Sequence, residues 1–145
     1  MPVEDLTPGA QRALNLAGQE ALALHHNFVG TEHLLLGLLA EGGGAARVLQ
    51  EFGVTLDQLR SLLMGMIPGG ETPVRSAMLT PRTERVMGIA LGEAEGLGAP
   101  QADTLHLLLG LIREGNGIAV GLLSKAMELD LEDVQVRALR ALAAD

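Results

Sequence analysis

The sequence predicts an all-α fold: two tandem four-helix pseudo-repeats packed into one compact domain with pseudo-twofold symmetry. Three observations carry that expectation. Laid over itself so that Leu6 meets Leu79, the chain is identical at about 20 of about 44 aligned positions, far beyond chance for a helical unit. Apolar residues recur with a period near 3.6 in the long segments of both copies. No segment shows the apolar–polar alternation of a half-buried strand. Units of about 70 residues bury too little surface to stand comfortably alone, so the two copies are expected to pack together. The boundaries read as repeat one at about 6–67, a linker at about 68–78 and repeat two at about 79–145, within a single domain spanning 1–145.

Each element has its own signal. Thr7 is a natural N-cap, and Pro8 takes the first helical position, where its missing N–H costs nothing. Ala10, Ala13, Leu14, Ala17, Ala21 and Leu24 form the stripe of the first helix; Thr80, Pro81, Val86, Met87, Ala90, Ala94 and Leu97 repeat it. The second helix begins near Thr31, which is expected to cap it, and runs through Leu34 to Ala40 with apolar residues on nearly every side. It should therefore be the buried element of its unit. Gly37 and Gly110 sit inside these helices at a cost of ~1 kcal/mol relative to Ala, which implies close helix–helix approach. Glycine-rich turns at 41–44 and 114–117 lead into short third helices through Leu49 and Leu122. Fourth helices follow, with Leu56, Leu59, Leu62, Leu63, Met66 and Ile67 on one face of the first and Leu131, Val134, Ala138, Ala141 and Leu142 on one face of the second. Beyond Leu122 the second copy holds two residues more than the first. Pro68-Gly69-Gly70-Glu71-Thr72-Pro73 breaks the chain between the copies, and the linker is expected to cross the surface.

Composition narrows the function. The 145 residues carry a formal net charge of −8, so the electrostatic footprint of a nucleic-acid binder is missing. There is no cysteine, which removes disulfides, thiol catalysis and cysteine-held metals. Phe28 and Phe52 are the only aromatics apart from histidine, too few for a base-stacking platform. The acidic start Met1-Pro2-Val3-Glu4-Asp5 has no apolar core of a signal peptide, and no apolar run reaches the ~18 residues of a membrane span. A cytoplasmic protein without membrane or nucleic-acid partners is the expectation.

No chemistry-bearing motif stands out. A G-x-x-x-x-G-K-[ST] phosphate loop and a G-x-S-x-G elbow are both lacking, and Ser61, Ser76 and Ser124 stand in no motif, so the chain reads as a non-enzyme. His25, His26, His33 and Glu32 invite a test as zinc ligands, but their spacing does not put two ligands on one helical face. The repeated histidine, His33 and His106, reads instead as a structural ring bonding a nearby backbone carbonyl; no metal and no cofactor are expected. The starts at Thr7-Pro8 and Thr80-Pro81 either cap their helices alone or offer free N–H groups to an anion. Met66 and Met87 read as core, while Met64 and Met78 offer an adaptable apolar surface.

Leu6-Thr7-Pro8 with Arg12, Val29-Gly30-Thr31-Glu32-His33-Leu34-Leu35-Leu36-Gly37-Leu38 and Leu111-Ile112-Arg113-Glu114-Gly115-Asn116-Gly117 strongly resemble the double Clp-N motif. That motif is the N-terminal domain of Clp-type AAA+ unfoldases, and the likeness is most to the ClpC and ClpA kind; it covers about Leu6 to Leu142. The resemblance implies a compact helical domain above an ATPase ring, receiving adaptor proteins or substrates for ATP-driven unfolding and degradation with a peptidase. The ring is absent from this chain, so it is an excised domain or a stand-alone relative that regulates a Clp complex; Met1 looks like a natural start, and Asp145 falls where the family's domain ends. In some ClpC-type relatives the Glu of G-T-E-H engages the guanidinium of phosphorylated arginine and a helix start engages the phosphate. The resemblance therefore implies Thr7, Thr31 and Glu32 as ligand-binding residues. In the second copy Leu105 replaces the Glu and Asp103 the Gly, which puts a second equivalent site in doubt. For adaptor docking, Arg12, Gln19, Glu20, Glu84, Arg85 and Glu93 lie outside the apolar stripes; for any one of them a merely solvated face is the favoured account.

Overall fold

The computed structural model describes residues 3–144; Met1, Pro2 and Asp145, on which the reading of the chain's two ends rests, lie outside the described residues. Eight helices run in chain order: α1 (Pro8–Ala23), α2 (Thr31–Glu41), α3 (Gly44–Glu51), α4 (Leu56–Met66), α5 (Pro81–Gly96), α6 (Thr104–Glu114), α7 (Ile118–Gly121) and α8 (Leu131–Ala144). The two central helices are α2 and α6. Every residue from Thr31 to Leu39, and from Thr104 to Ile112, is buried. The runs 34–39 and 107–112 hold no polar side chain to give to water, so each helix is wrapped by its neighbours.

Helix α1 lies closely against α2, and α5 against α6, because glycine sits at both crossings. A methyl group at Gly37 would strike the Ala13 carbonyl oxygen and come within 2.8 Å of the Ala17 nitrogen. At Gly110 it would fall 2.7 Å from the Val86 carbonyl oxygen. The small residues Ala10, Ala13, Ala17 and Ala21 of α1, all buried, complete the close approach.

The halves exchange their connecting segments. Strand β1 (Phe28–Val29) pairs in parallel with β2 (Met78–Leu79), putting Val29 beside Leu79. The matching bridge joins Leu6 to Ala102. Each half thus leads into its first helix alongside the other half's segment preceding α2 or α6, as a pseudo-twofold axis requires. This two-residue ladder and the single bridge are the departures from all-helical pairing among the described residues. Both are too short for the alternation test that a sequence pattern offers.

Differences between the copies sit where the two extra residues enter. In the first half α3 ends in a turn at Gly53, φ +81°. In the second half α7 is one turn long and runs into a π-helical turn, Leu122–Ala126, which absorbs the insertion. Glu128 then takes the left-handed conformation of Gly53, at φ +56°. Likewise His25, φ +57°, stands where the second copy has Gly98, φ +75°.

Three local expectations are corrected. Thr31 does not cap α2, whose N-cap is Gly30; its hydroxyl instead accepts the Ala119 N–H of α7 at 3.2 Å. Thr104 returns the arrangement by accepting the Ala45 N–H of α3 at 3.3 Å. Met66 is not core but 57% exposed, because only Leu59 and Leu63 of α4 turn fully inward. The repeated histidines bond a backbone amide rather than a carbonyl: Gly30 N–H donates to His33 Nδ1, and Asp103 N–H to His106 Nδ1, each at 2.9 Å. The helix start supplies orphan donors, and a ring at its third residue reaches back to meet one.

Candidate functional site

Where the exchanged segments meet, an open pocket of about 380 Å³ forms between the halves. Gly30, Thr31 and Glu32 from the first turn of α2 make one wall. Thr80, Pro81, Arg82 and Arg85 from the start of α5 make the opposite wall, and Gly117 with Ile118 closes the end.

Glu32 is 3% exposed, and burial raises its carboxyl above the usual value; a hydrogen bond from the backbone and the nearby His26 pull the other way. A side chain at Gly30 would collide with the Glu32 carboxylate, meeting its Cδ at 2.8 Å, so glycine is what lets the acid fold back there. Thr31, one residue earlier, turns to cap α7, and a methyl at Gly117 would strike its hydroxyl oxygen and lie 2.8 Å from its Cγ2. On the far wall Thr80 accepts the Thr83 N–H at 3.1 Å and shares a 2.8 Å hydroxyl contact with Thr83. Pro81 takes the first helical position and has no N–H to offer; the aligned peptide dipoles polarise the α5 terminus positively, with Arg82 and Arg85 exposed beside it. Arg82 is tethered to Glu114 at 3.4 Å. A buried acid on one wall and two guanidiniums over a helix start on the other suit a ligand carrying both charges.

The structure sorts the predicted residues. Thr31 and Glu32 come together in the pocket, but Thr7 does not join them. Thr7 sits at the related position in the other half, where its hydroxyl accepts the Ala10 N–H at 3.2 Å and donates to Asp103 Oδ1 at 3.0 Å. The helix start facing Glu32 belongs to Thr80. That partner was hidden in the sequence because it follows from the exchange of segments, which pairs the signature of one copy with the cap of the other.

Gln19, Glu84, Arg85 and Arg12 are exposed, Arg12 with a 3.4 Å link to Glu41. Glu20 and Glu93 are half-buried and engaged, by Arg60 at 2.7 Å and by Arg113. Arg60 bridges to a separate apolar groove of about 320 Å³ between α1, α2 and α4, edged by Met64. Met64 and Met78 are 64% and 77% exposed. Among the described residues no group of three or more His, Cys, Asp or Glu side chains converges as a metal would require, and no single helix is long and apolar enough to cross a membrane.

Comparison with known proteins bears on the whole chain. The family model described as the Clp repeat (R) N-terminal domain matches residues 5–99 and again 78–144. The ATP-dependent Clp protease ATP-binding subunit ClpA homolog of Guillardia theta is 45% identical over 141 residues, covering 96% of this chain and 17% of that protein. The negative regulator of genetic competence ClpC/MecB of Bacillus subtilis is 43% identical over 119 residues, covering 81% of this chain and 15% of its own length. The chain thus spans about a sixth of the curated relatives it matches. Among solved structures, the N-terminal domain of the chaperone ClpD from Arabidopsis thaliana superimposes with a TM-score of 0.81 at 24% identity, covering 97% of this chain and 99% of that one. A complex of the ClpV N-domain with a VipB peptide shares the fold at a TM-score of 0.73 and 19% identity, covering 96% and 88%.

Proposed function

The chain belongs to the Clp repeat N-terminal domain family, and from that membership we propose that it is a recognition domain that receives adaptor proteins or substrates for a Clp-type ATP-driven unfoldase. The chain is such an N-domain and not an ATPase domain; hydrolysis then falls to a ring elsewhere, and degradation to an associated peptidase. The domain itself performs no catalysis, takes no cofactor or metal, and works in the cytoplasm without nucleic acid or membrane. It acts as one unit of two repeats divided by the linker at about 68–78.

One observation carries the reading of the site: the buried Glu32 carboxylate faces the α5 start, with Arg82 and Arg85 beside it, in an open pocket. Phosphoarginine on a substrate surface fits that pattern, its guanidinium on Glu32 and its phosphate on the Thr80 helix start and Arg85. Thr31 positions Glu32 by fixing the first turn of α2 against α7. Arg12, Gln19, Glu20, Glu84, Arg85 and Glu93 then serve the broader docking face, Glu20 and Glu93 through the arginines they hold. Calorimetry with free phosphoarginine tests the site. Binding to the unmodified chain, lost in Glu32→Ala and in Arg85→Ala while Tm hardly moves, is the expected outcome. An absence of heat with the unmodified chain refutes it.

A further inference from the structure

Two buried imidazoles lie behind the pocket, and their protons are fixed by what stands at each end of the pair. His33 is fully buried and His26 is 7% exposed. Gly30 N–H can only donate, so His33 Nδ1, 2.9 Å away, must be the bare nitrogen. The His33 proton is then on Nε2, where it donates to His26 Nδ1 at 2.9 Å. His26 in turn carries its proton on Nε2 and donates to the carbonyl oxygen of Pro68 at 3.1 Å, since a carbonyl can only accept. Backbone groups at both ends therefore dictate one tautomer for each ring, and all four ring nitrogens are used. The Phe28 ring stacks on His26, with centroids 4.9 Å apart, and meets His33 edge-on at 5.2 Å.

A second proton on either ring has nowhere to go. On His33 Nδ1 it opposes the Gly30 N–H; on His26 Nδ1 it opposes the His33 N–H. We propose that His26 and His33 form a proton-sensitive latch that ties the start of the linker, at Pro68, to the first turn of α2 and opens when either ring becomes an imidazolium. The latch stands whatever the pocket binds. It exists in one half only: Ala99 stands where the second copy would have its His26, and the buried His106 Nε2 has no partner among the described residues.

The surroundings of the pair set its response. From α2, the Glu32 carboxylate attracts a charge on His26, whereas from β1 Phe28 offers only its ring. From the end of α1, His25 turns its Nδ1 to the Gly70 carbonyl at 3.1 Å, and Gly70 N–H donates to the Leu24 carbonyl at 2.8 Å, so the linker is clipped there a second time. Burial and the neighbouring His26 lower His33 to about 4, which keeps that ring neutral at neutral pH. Opening frees Pro68 and leaves the Gly30 amide unbonded, one residue before Thr31 and two before Glu32.

Two measurements on the 145-residue chain test this. Long-range nitrogen–proton NMR at about pH 7.5 reads the tautomers directly. Both rings protonated on Nε2 alone is expected; an Nδ1 proton on either ring overturns the latch. Hydrogen exchange, corrected for its intrinsic pH dependence, follows the Gly30 amide from about pH 7.5 to about 4.5. The double variant His26→Gln/His33→Gln keeps an amide oxygen for the Gly30 N–H and an NH₂ for the Pro68 carbonyl, yet takes no proton in that range. Loss of protection at Gly30 by roughly tenfold or more in the unmodified chain, with less than about threefold in the double variant, supports the latch. Equal loss in both proteins refutes it. The Leu36 amide, deep in α2, serves as the reference for global unfolding.

Discussion

Replacing Gly37 by alanine sets two known effects against each other. In a helix interior the change gains about 1 kcal/mol from propensity. Here the new methyl would meet the Ala13 carbonyl, then the Ala17 nitrogen at 2.8 Å and the Ala17 Cβ at 2.9 Å. These are backbone or near-backbone atoms, so no flexible side chain can swing aside. Helix α1 must move outward by roughly 1 Å to restore ordinary contact, and its buried alanine stripe loses close packing along several turns. Overpacking of this kind costs about 1–3 kcal/mol after the propensity gain is absorbed. Gly18→Ala and Gly92→Ala are the internal controls, since a methyl at either meets nothing within 4 Å. Both should stabilise, by roughly 0.5–1 kcal/mol. Urea unfolding at constant m-value reads all three, with a Tm shift of roughly 3 °C per kcal/mol as a check. If Gly37→Ala is neutral or stabilising while the controls behave, the account of the α1–α2 crossing is wrong.

Glu128→Gly should raise stability by about 1 kcal/mol, because an exposed non-glycine residue is held at φ +56° where the first copy has Gly53; chemical denaturation measures it. Thr31→Val removes the hydroxyl that caps α7 from the other half and should cost about 1 kcal/mol in the same assay, while Thr31→Ser keeps most of it. His33 is held neutral down to about 4. The unfolded chain therefore binds more protons below the ordinary histidine range, and stability should rise with pH between about 4 and 6.5, by up to about 1.4 kcal/mol per unit from this ring. Denaturation midpoints of the unmodified chain and of His33→Gln across that range check the sign. The unmodified chain should show the steeper upward slope, and equal slopes contradict it, because the raised Glu32 carboxyl pulls the other way in both.

The helices were legible in the sequence because their causes are local. Thr7-Pro8 and Thr80-Pro81 start α1 and α5, and the all-apolar run Leu34–Leu39 belongs to a helix with no wet side. Gly37 and Gly110 announced close crossings for the same reason: a helix tolerates an interior glycine only where something needs the space. Half of the candidate site was legible too, since Thr31 and Glu32 share one turn. Its other half was not. Thr80 faces Glu32 only because β2 lies beside β1, and two-residue strands leave no pattern to read. The cap that Thr31 provides to α7 was hidden likewise, because hydroxyl and amide stand 88 residues apart. Met66 misled because a face of six apolar residues suggests burial, whereas α4 lies at the edge and only Leu59 and Leu63 reach the interior.

The exchanged segments also bear on descent. A lone ancestral bundle lacking its neighbour's strand and hydroxyl cap would be unfinished, whereas two identical copies would complete each other as a homodimer with twin mouths. Such a dimer cannot alter one mouth without altering the other. Joining the copies in a single gene lifts that constraint, and the two mouths of this chain differ accordingly: one holds the acid Glu32, while the sister position holds Leu105, lodged against Gly44.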